Sequence, residues 1–126
     1  MTIAYWCILA VIFLPYILVF MSRVPTITLE NNLIPRLSAE ELTGIQQRLY
    51  WAHLNALEAI APFAAVVIIA HNLQMDPPLL NTLALSFVGL RIAHAIAYSA
   101  NLGVIRSLIF IATQATMVTI FIKSAA

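Results

Sequence analysis

Residues 48–63 read Arg48-Leu49-Tyr50-Trp51-Ala52-His53-Leu54-Asn55-Ala56-Leu57-Glu58-Ala59-Ile60-Ala61-Pro62-Phe63. The run is apolar enough to open a membrane-crossing helix, yet it holds an arginine, a histidine, an asparagine and a glutamate. At about 3.6 residues per turn, Arg48, Trp51, Asn55 and Glu58 share one face, and Leu49, Leu57, Ile60 and Ala64 form the opposite one. A polar stripe in a bilayer is expensive, so it faces protein or a water-filled cavity and marks a candidate functional site.

The rest of the chain supplies the bilayer context. Of 126 residues, 63% are hydrophobic and 9% are charged, where a soluble domain carries roughly a quarter charged residues. The composition is that of an integral membrane protein. At about 20 residues per span, the length accommodates four helices and no separate soluble domain. A net charge of +1 with no basic cluster gives nucleic acid nothing to bind. Cys7 is the single cysteine, which excludes an intrachain disulfide and a CxxC site. The histidines lack HExxH spacing and a surrounding carboxylate cluster, so no metal site is expected.

Four helices are predicted over about residues 2–22, 39–73, 79–100 and 104–123, forming an all-α four-helix membrane bundle in a single domain over residues 1–126. The first is continuous and apolar, with Pro15 at its middle and Tyr5 and Trp6 suited to one interface. It has neither a basic leader nor a small-x-small cleavage site, so it reads as a retained helix. Residues 24–41 form the only long polar connection, punctuated by Pro25, Asn31, Asn32 and Pro35. Ser38 with Glu41 reads as a capping box that starts the second helix at Ala39. That helix is too long for a bilayer, so its first turns stand in water, with Gly44 near the membrane interface and Pro62 bending it beyond Glu58. His71–Pro78 is a short turn. Asn101 and Gly103 break the chain between the third and fourth helices. Arg23, Arg36 and Arg106 fall at one end of the bundle and Lys123 alone at the other, which places the first loop and third turn in the cytoplasm and both termini outside.

This layout brings three polar segments to one depth: the stripe of the second helix, Arg91, His94 and Tyr98 on one face of the third, and Arg106 and Ser107 at the start of the fourth. Three arginines and one glutamate make a net positive site, which calls for an anion because buried charge must be paired. Glu58 is expected to hold an arginine, with Arg91 the best placed, or to accept from a ligand ammonium. Tyr98 can donate to a carboxylate or thiolate. Arg106, beside the positive end of its helix, would favour the thiolate of a bound thiol. The plainer readings are that Glu58 and Arg91 only fix helix packing, that Arg48 and Arg106 anchor at the interface, that His53 is a packing residue and that Ser107 starts a helix. Ala56, Ala59 and Ala61 permit close packing with a further helix, and four helices alone cannot enclose so polar a stripe, so an oligomer is expected.

The pattern Arg48-x-x-x-Ala52-His53-x-Asn55-x-x-Glu58-x-x-x-Pro62-Phe63, followed by Arg91-x-x-His94-x-x-x-Tyr98 and Ile105-Arg106-Ser107, resembles the family of membrane-associated proteins in eicosanoid and glutathione metabolism (MAPEG). Its members include microsomal glutathione transferases, microsomal prostaglandin E synthase and leukotriene C synthase, and one member, the five-lipoxygenase-activating protein, binds lipid without catalysis. The resemblance implies a bacterial-type homotrimer of four-helix subunits in the inner membrane, with glutathione bound between subunits near the cytoplasmic side. Carried over by position, Arg48, Asn55, Glu58, Arg91, His94 and Tyr98 would hold glutathione, with His53 lining the site from an adjoining subunit. Arg106 would stabilise the thiolate with Ser107 beside it. A lipophilic electrophile or hydroperoxide would reach that thiolate from the membrane lipid. The chain departs from the pattern at Trp51, where glutathione-using members usually carry arginine, at Leu54, where some members do, and at Phe110, where members carry tyrosine. The arginine replaced by Trp51 grips a glutathione carboxylate, so weakened glutathione binding is expected. Two readings follow: a glutathione-dependent transferase or peroxidase, or a non-catalytic lipid-binding or scaffold subunit attached to another membrane protein. A transporter is disfavoured because there is no internal repeat to rock.

Overall fold

The computed structural model describes residues 1–125. Four long helices carry the fold: α1 (Ile3–Arg23), α4 (Gly44–Asn72), α5 (Pro77–Ser99) and α6 (Gly103–Ser124), with a 3-10 turn (Val24–Thr26) and two short helices, α2 (Leu29–Leu33) and α3 (Pro35–Glu40), between the first two. Among the described residues, these four are long and apolar enough to cross a membrane. At about 1.5 Å per residue, α1, α5 and α6 each span a little over 30 Å, matching the hydrocarbon thickness, whereas α4 runs to about 43 Å. The protein is an integral membrane helix bundle.

The helix ends explain the connections. Pro77 opens α5 at a position where the missing N–H costs nothing, and Asp76 caps it by accepting from the Leu79 N–H at 3.1 Å. Asn101 adopts a left-handed φ of 61° just past α5, the common way to end a helix. The second span begins at Gly44, not at Ala39 as the capping-box reading has it. Gly44 has φ +59°, a conformation that ends any continuous helix from α3 and that a side chain would strain. Ser38 is taken up elsewhere. It lies inside α3, accepts from Arg23 Nη2 at 2.6 Å and points its own proton at the Asn31 or Pro35 carbonyl.

Packing follows the small residues. Along α4 the buried positions are Leu49, Ala52, Ala56, Ala59, Phe63, Val67 and Ala70, spaced three or four apart as one helix face demands. The alanines let α1 lie close against α4. Ala56 and Ala59 are therefore used inside the four-helix bundle, and of the alanines suited to a further helix only Ala61 is exposed. Nor is the rest of the apolar face inward, since Leu57 is exposed. Phe63 and Phe87 stack at 4.0 Å between α4 and α5, at the centre of a core that Val11, Leu80 and Ile120 complete. A second, smaller cluster of Leu18, Leu49, Ala52, Ala56 and Ala95 lies toward the other end. Side chains also tie helices through backbone groups: Asn81 accepts from the Ala4 N–H at 3.0 Å, and Ser22 donates to the Gln46 carbonyl at 2.7 Å.

Candidate functional site

The site is organised on Arg91, an α5 side chain only 2% exposed. Its Nη2 donates to two acceptors of one α4 residue, the Asn55 carbonyl at 3.0 Å and Asn55 Oδ1 at 2.8 Å. The Nε of Arg91 is buried without a partner. The expected partner, Glu58, does not take this place: it sits one turn further along α4 and is exposed. An amide clamps the buried guanidinium, and the carboxylate stays exposed.

Beyond Asn55 the surface opens into a trough made of two hollows that share Asn55 and Tyr98. The first, about 420 Å³, lies between α4, α5 and α6 and is lined by Asn55, His94, Tyr98, Arg106, Ser107, Phe110 and Ile111. The second, about 470 Å³, runs along α4 past Trp51, Leu54 and Glu58. Arg106 holds its guanidinium carbon 4.5 Å from the centre of the Tyr98 ring, a cation–π contact that orients the charge while leaving its donors open. Tyr98 also meets His94 edge-on at 5.8 Å, and Phe110 lies 6.2 Å from His94 on the far side. Ser107 lines the hollow and donates to the Gly103 carbonyl at 3.0 Å, so its proton is committed to its own helix.

Charge in the trough is divided. At the α6 end stand Arg106 and the N-terminus of a 22-residue helix that has no side-chain cap. Unsatisfied N–H groups and the helix dipole there both favour an anion. At the α4 end stands Glu58 beside the exposed Trp51, a carboxylate and an aromatic face that suit a cation. Other sizeable hollows are apolar: one at the start of α1 around Tyr5, Trp6 and Leu9, and a groove between α1, α4 and α5 around Leu14, Leu18 and Ile92.

Of the residues singled out in the sequence, Asn55, Glu58, His94, Tyr98, Arg106 and Ser107 line the trough, and Arg91 stands behind Asn55. Arg48 and His53 point elsewhere within the subunit. Arg48 Nε donates to the Ser99 carbonyl at 2.8 Å, closing an orphan acceptor at the end of α5. This bond also puts the start of α4 and the end of α5 at the same end of the bundle. His53 Nδ1 lies 2.8 Å from the Pro15 carbonyl of α1, and since a carbonyl only accepts, the ring proton is on Nδ1. Ile111 was not anticipated as a lining residue. It is one turn beyond Ser107, and helix periodicity alone would have found it. The backbone acceptors of Ser99 and Pro15 had no signal in the sequence, because every residue carries a carbonyl.

The sequence matches the family model described as MAPEG family over residues 3–126, essentially its whole length. No curated protein and no solved structure matches the chain.

Proposed function

The chain belongs to the MAPEG family, and from that premise we propose that it is a membrane-bound, glutathione-dependent transferase or peroxidase acting on lipophilic electrophiles or hydroperoxides. Membership by itself supports a glutathione-related role at the membrane in general. The observation that carries the finer reading is Arg106, held over Tyr98 at the uncapped start of α6 and facing a polar hollow. Arg106 would hold the thiolate, with Ser107 and His94 beside it in the lining. Glu58 would take the ammonium group, and the trough volume lies in the range of small-molecule sites. The residues present thus fit one anionic and one cationic group of glutathione. A second anion grip is absent from the α4 end, where Trp51 and Leu54 form the wall. The thiolate would attack the electrophile or reduce the hydroperoxide, both drawn from the lipid that surrounds the apolar helices.

We place the chain in a homotrimer, as the family resemblance implies; Trp51, Leu54 and Glu58 face outward from a single chain, which supports a neighbour that encloses them. His53 would meet the site of an adjoining subunit only if α1 yields its hydrogen bond. The cytoplasmic side of a bacterial inner membrane is assigned to the end bearing Arg23, Arg36, Arg48 and Arg106, with both termini opposite.

A second reading has its own support. Trp51, Leu54, Phe110 and Ile111 give the trough an apolar wall, which suits a lipid-binding or accessory subunit. Turnover of an electrophile panel with glutathione separates the two. The enzyme reading expects activity that Arg106→Ala abolishes while the oligomer persists, and the accessory reading expects none in either protein.

A further inference from the structure

We propose that the connection from Val24 to Leu37 lies in the plane of the membrane interface, with its leucines and isoleucines seated among lipid acyl chains rather than in water. Several of its polar side chains are satisfied by hydrogen bonds within the segment or to its ends. Arg23 Nη2 donates to Ser38 Oγ at 2.6 Å, Thr26 Oγ1 donates to the Arg23 carbonyl at 3.1 Å, and Asn31 Nδ2 donates to the Thr26 carbonyl at 3.2 Å. Thr28 Oγ1 caps α2 by accepting from the Asn31 N–H at 3.1 Å. Ser38 and Ala39 are buried against the bundle and pin the segment to the end of α1.

The apolar side chains are turned outward. Leu29 is 91% exposed and Leu33 82% exposed, four residues apart on one face of α2, and Ile27, Ile34 and Leu37 are exposed as well. A segment whose polar side chains are taken up by its own backbone and whose large apolar side chains stand exposed suits lipid better than water.

Continuity with the spanning surface identifies the occupant. On α1 the outward apolar positions Phe13, Ile17 and Phe20 continue through Val24 to Ile27 at intervals of three or four residues. The lipid-facing stripe therefore passes Arg23 without a break and enters the connection, whose other end returns to the bundle at Leu42 and Gly44. Glu30, Arg36, Glu40 and Glu41 are exposed too, and they supply the water-side charges of an in-plane element.

The test places a single cysteine at Leu29, Leu33 or Arg36 in a Cys7→Ala background, labels it with an environment-sensitive fluorophore, and reconstitutes the full chain in phosphatidylcholine vesicles. Labelling of the unsubstituted protein, whose Cys7 is 4% exposed, sets the background if Cys7→Ala folds poorly. The expected result is blue-shifted emission at positions 29 and 33, quenched severalfold when brominated phosphatidylcholine replaces the ordinary lipid, with water-like emission at position 36. Water-like emission at 29 and 33 overturns the proposal. Blue-shifted emission that brominated lipid leaves unquenched also overturns it, since a second copy or another protein would then cover the leucines.

Discussion

Replacing Asn55 by leucine should destabilise the bundle far more than losing one side-chain hydrogen bond at a surface. Arg91 is 2% exposed and draws both its hydrogen bonds from Asn55, one to the side chain at 2.8 Å and one to the backbone at 3.0 Å. Asn55→Leu removes the first and leaves a guanidinium that already has an unpartnered Nε. A hydrogen bond to a charged group contributes about 1.5–3 kcal/mol, and removing one partner leaves the other to bear its desolvation. The expected loss is about 2–3 kcal/mol, or roughly 5–15 °C in Tm for a chain of this size. The second half of the cycle is more discriminating. Arg91→Met takes away the charge that needs the partner, so adding it to Asn55→Leu should restore part of the lost stability. A reversible unfolding titration in mixed detergent micelles measures the wild type, both single variants and the double variant. A coupling of about 1.5–3 kcal/mol supports the clamp, whereas additivity within about 0.5 kcal/mol would refute it.

Three further outcomes follow from other positions. Gly44→Ala, at φ +59°, should cost about 1–2 kcal/mol, while Gly89→Ala, on an open stretch of α5 with nothing within 4 Å of the added methyl, should be stabilising by up to about 1 kcal/mol; thermal unfolding of the pair checks both signs. Arg48→Met should lower stability by about 1 kcal/mol through the freed Ser99 carbonyl and leave glutathione affinity within twofold; a large loss of affinity would place Arg48 at the ligand. Trp51→Arg adds an anion grip at the α4 end of the trough, and a charge-assisted contact of about 1.5–3 kcal/mol should tighten glutathione binding by roughly tenfold or more; unchanged affinity in a calorimetric titration would show that this wall does not meet the ligand.

The spans were legible because bilayer thickness and helical rise leave little freedom: long apolar runs separated by proline, asparagine and glycine fix where four helices lie. The start of α4 was not. Ser38 and Glu41 have the spacing of a cap, but Arg23 competes for the buried serine hydroxyl, and Gly44 turns the backbone where the pattern continues. The trough was legible as a set of residue types on shared faces, since Asn55 and Glu58 on α4, His94 and Tyr98 on α5, and Arg106 and Ser107 on α6 keep their helical spacing in the structure. Pairing inside that set was not legible. Charge logic joins Arg91 to Glu58, yet the amide of Asn55 is nearer the core and takes the guanidinium. Arg48 and His53 are directed to backbone carbonyls, and no side-chain pattern announces those.

Titrating glutathione into the detergent-solubilised protein, with ultraviolet absorbance of the thiolate followed alongside the heat, tests whether Arg106 holds a thiolate in the trough. The expected result is binding with a thiolate signal at neutral pH that Arg106→Ala removes while the helical content stays unchanged. Absence of both heat and thiolate signal at millimolar glutathione would contradict it, and the trough would then belong to a lipid.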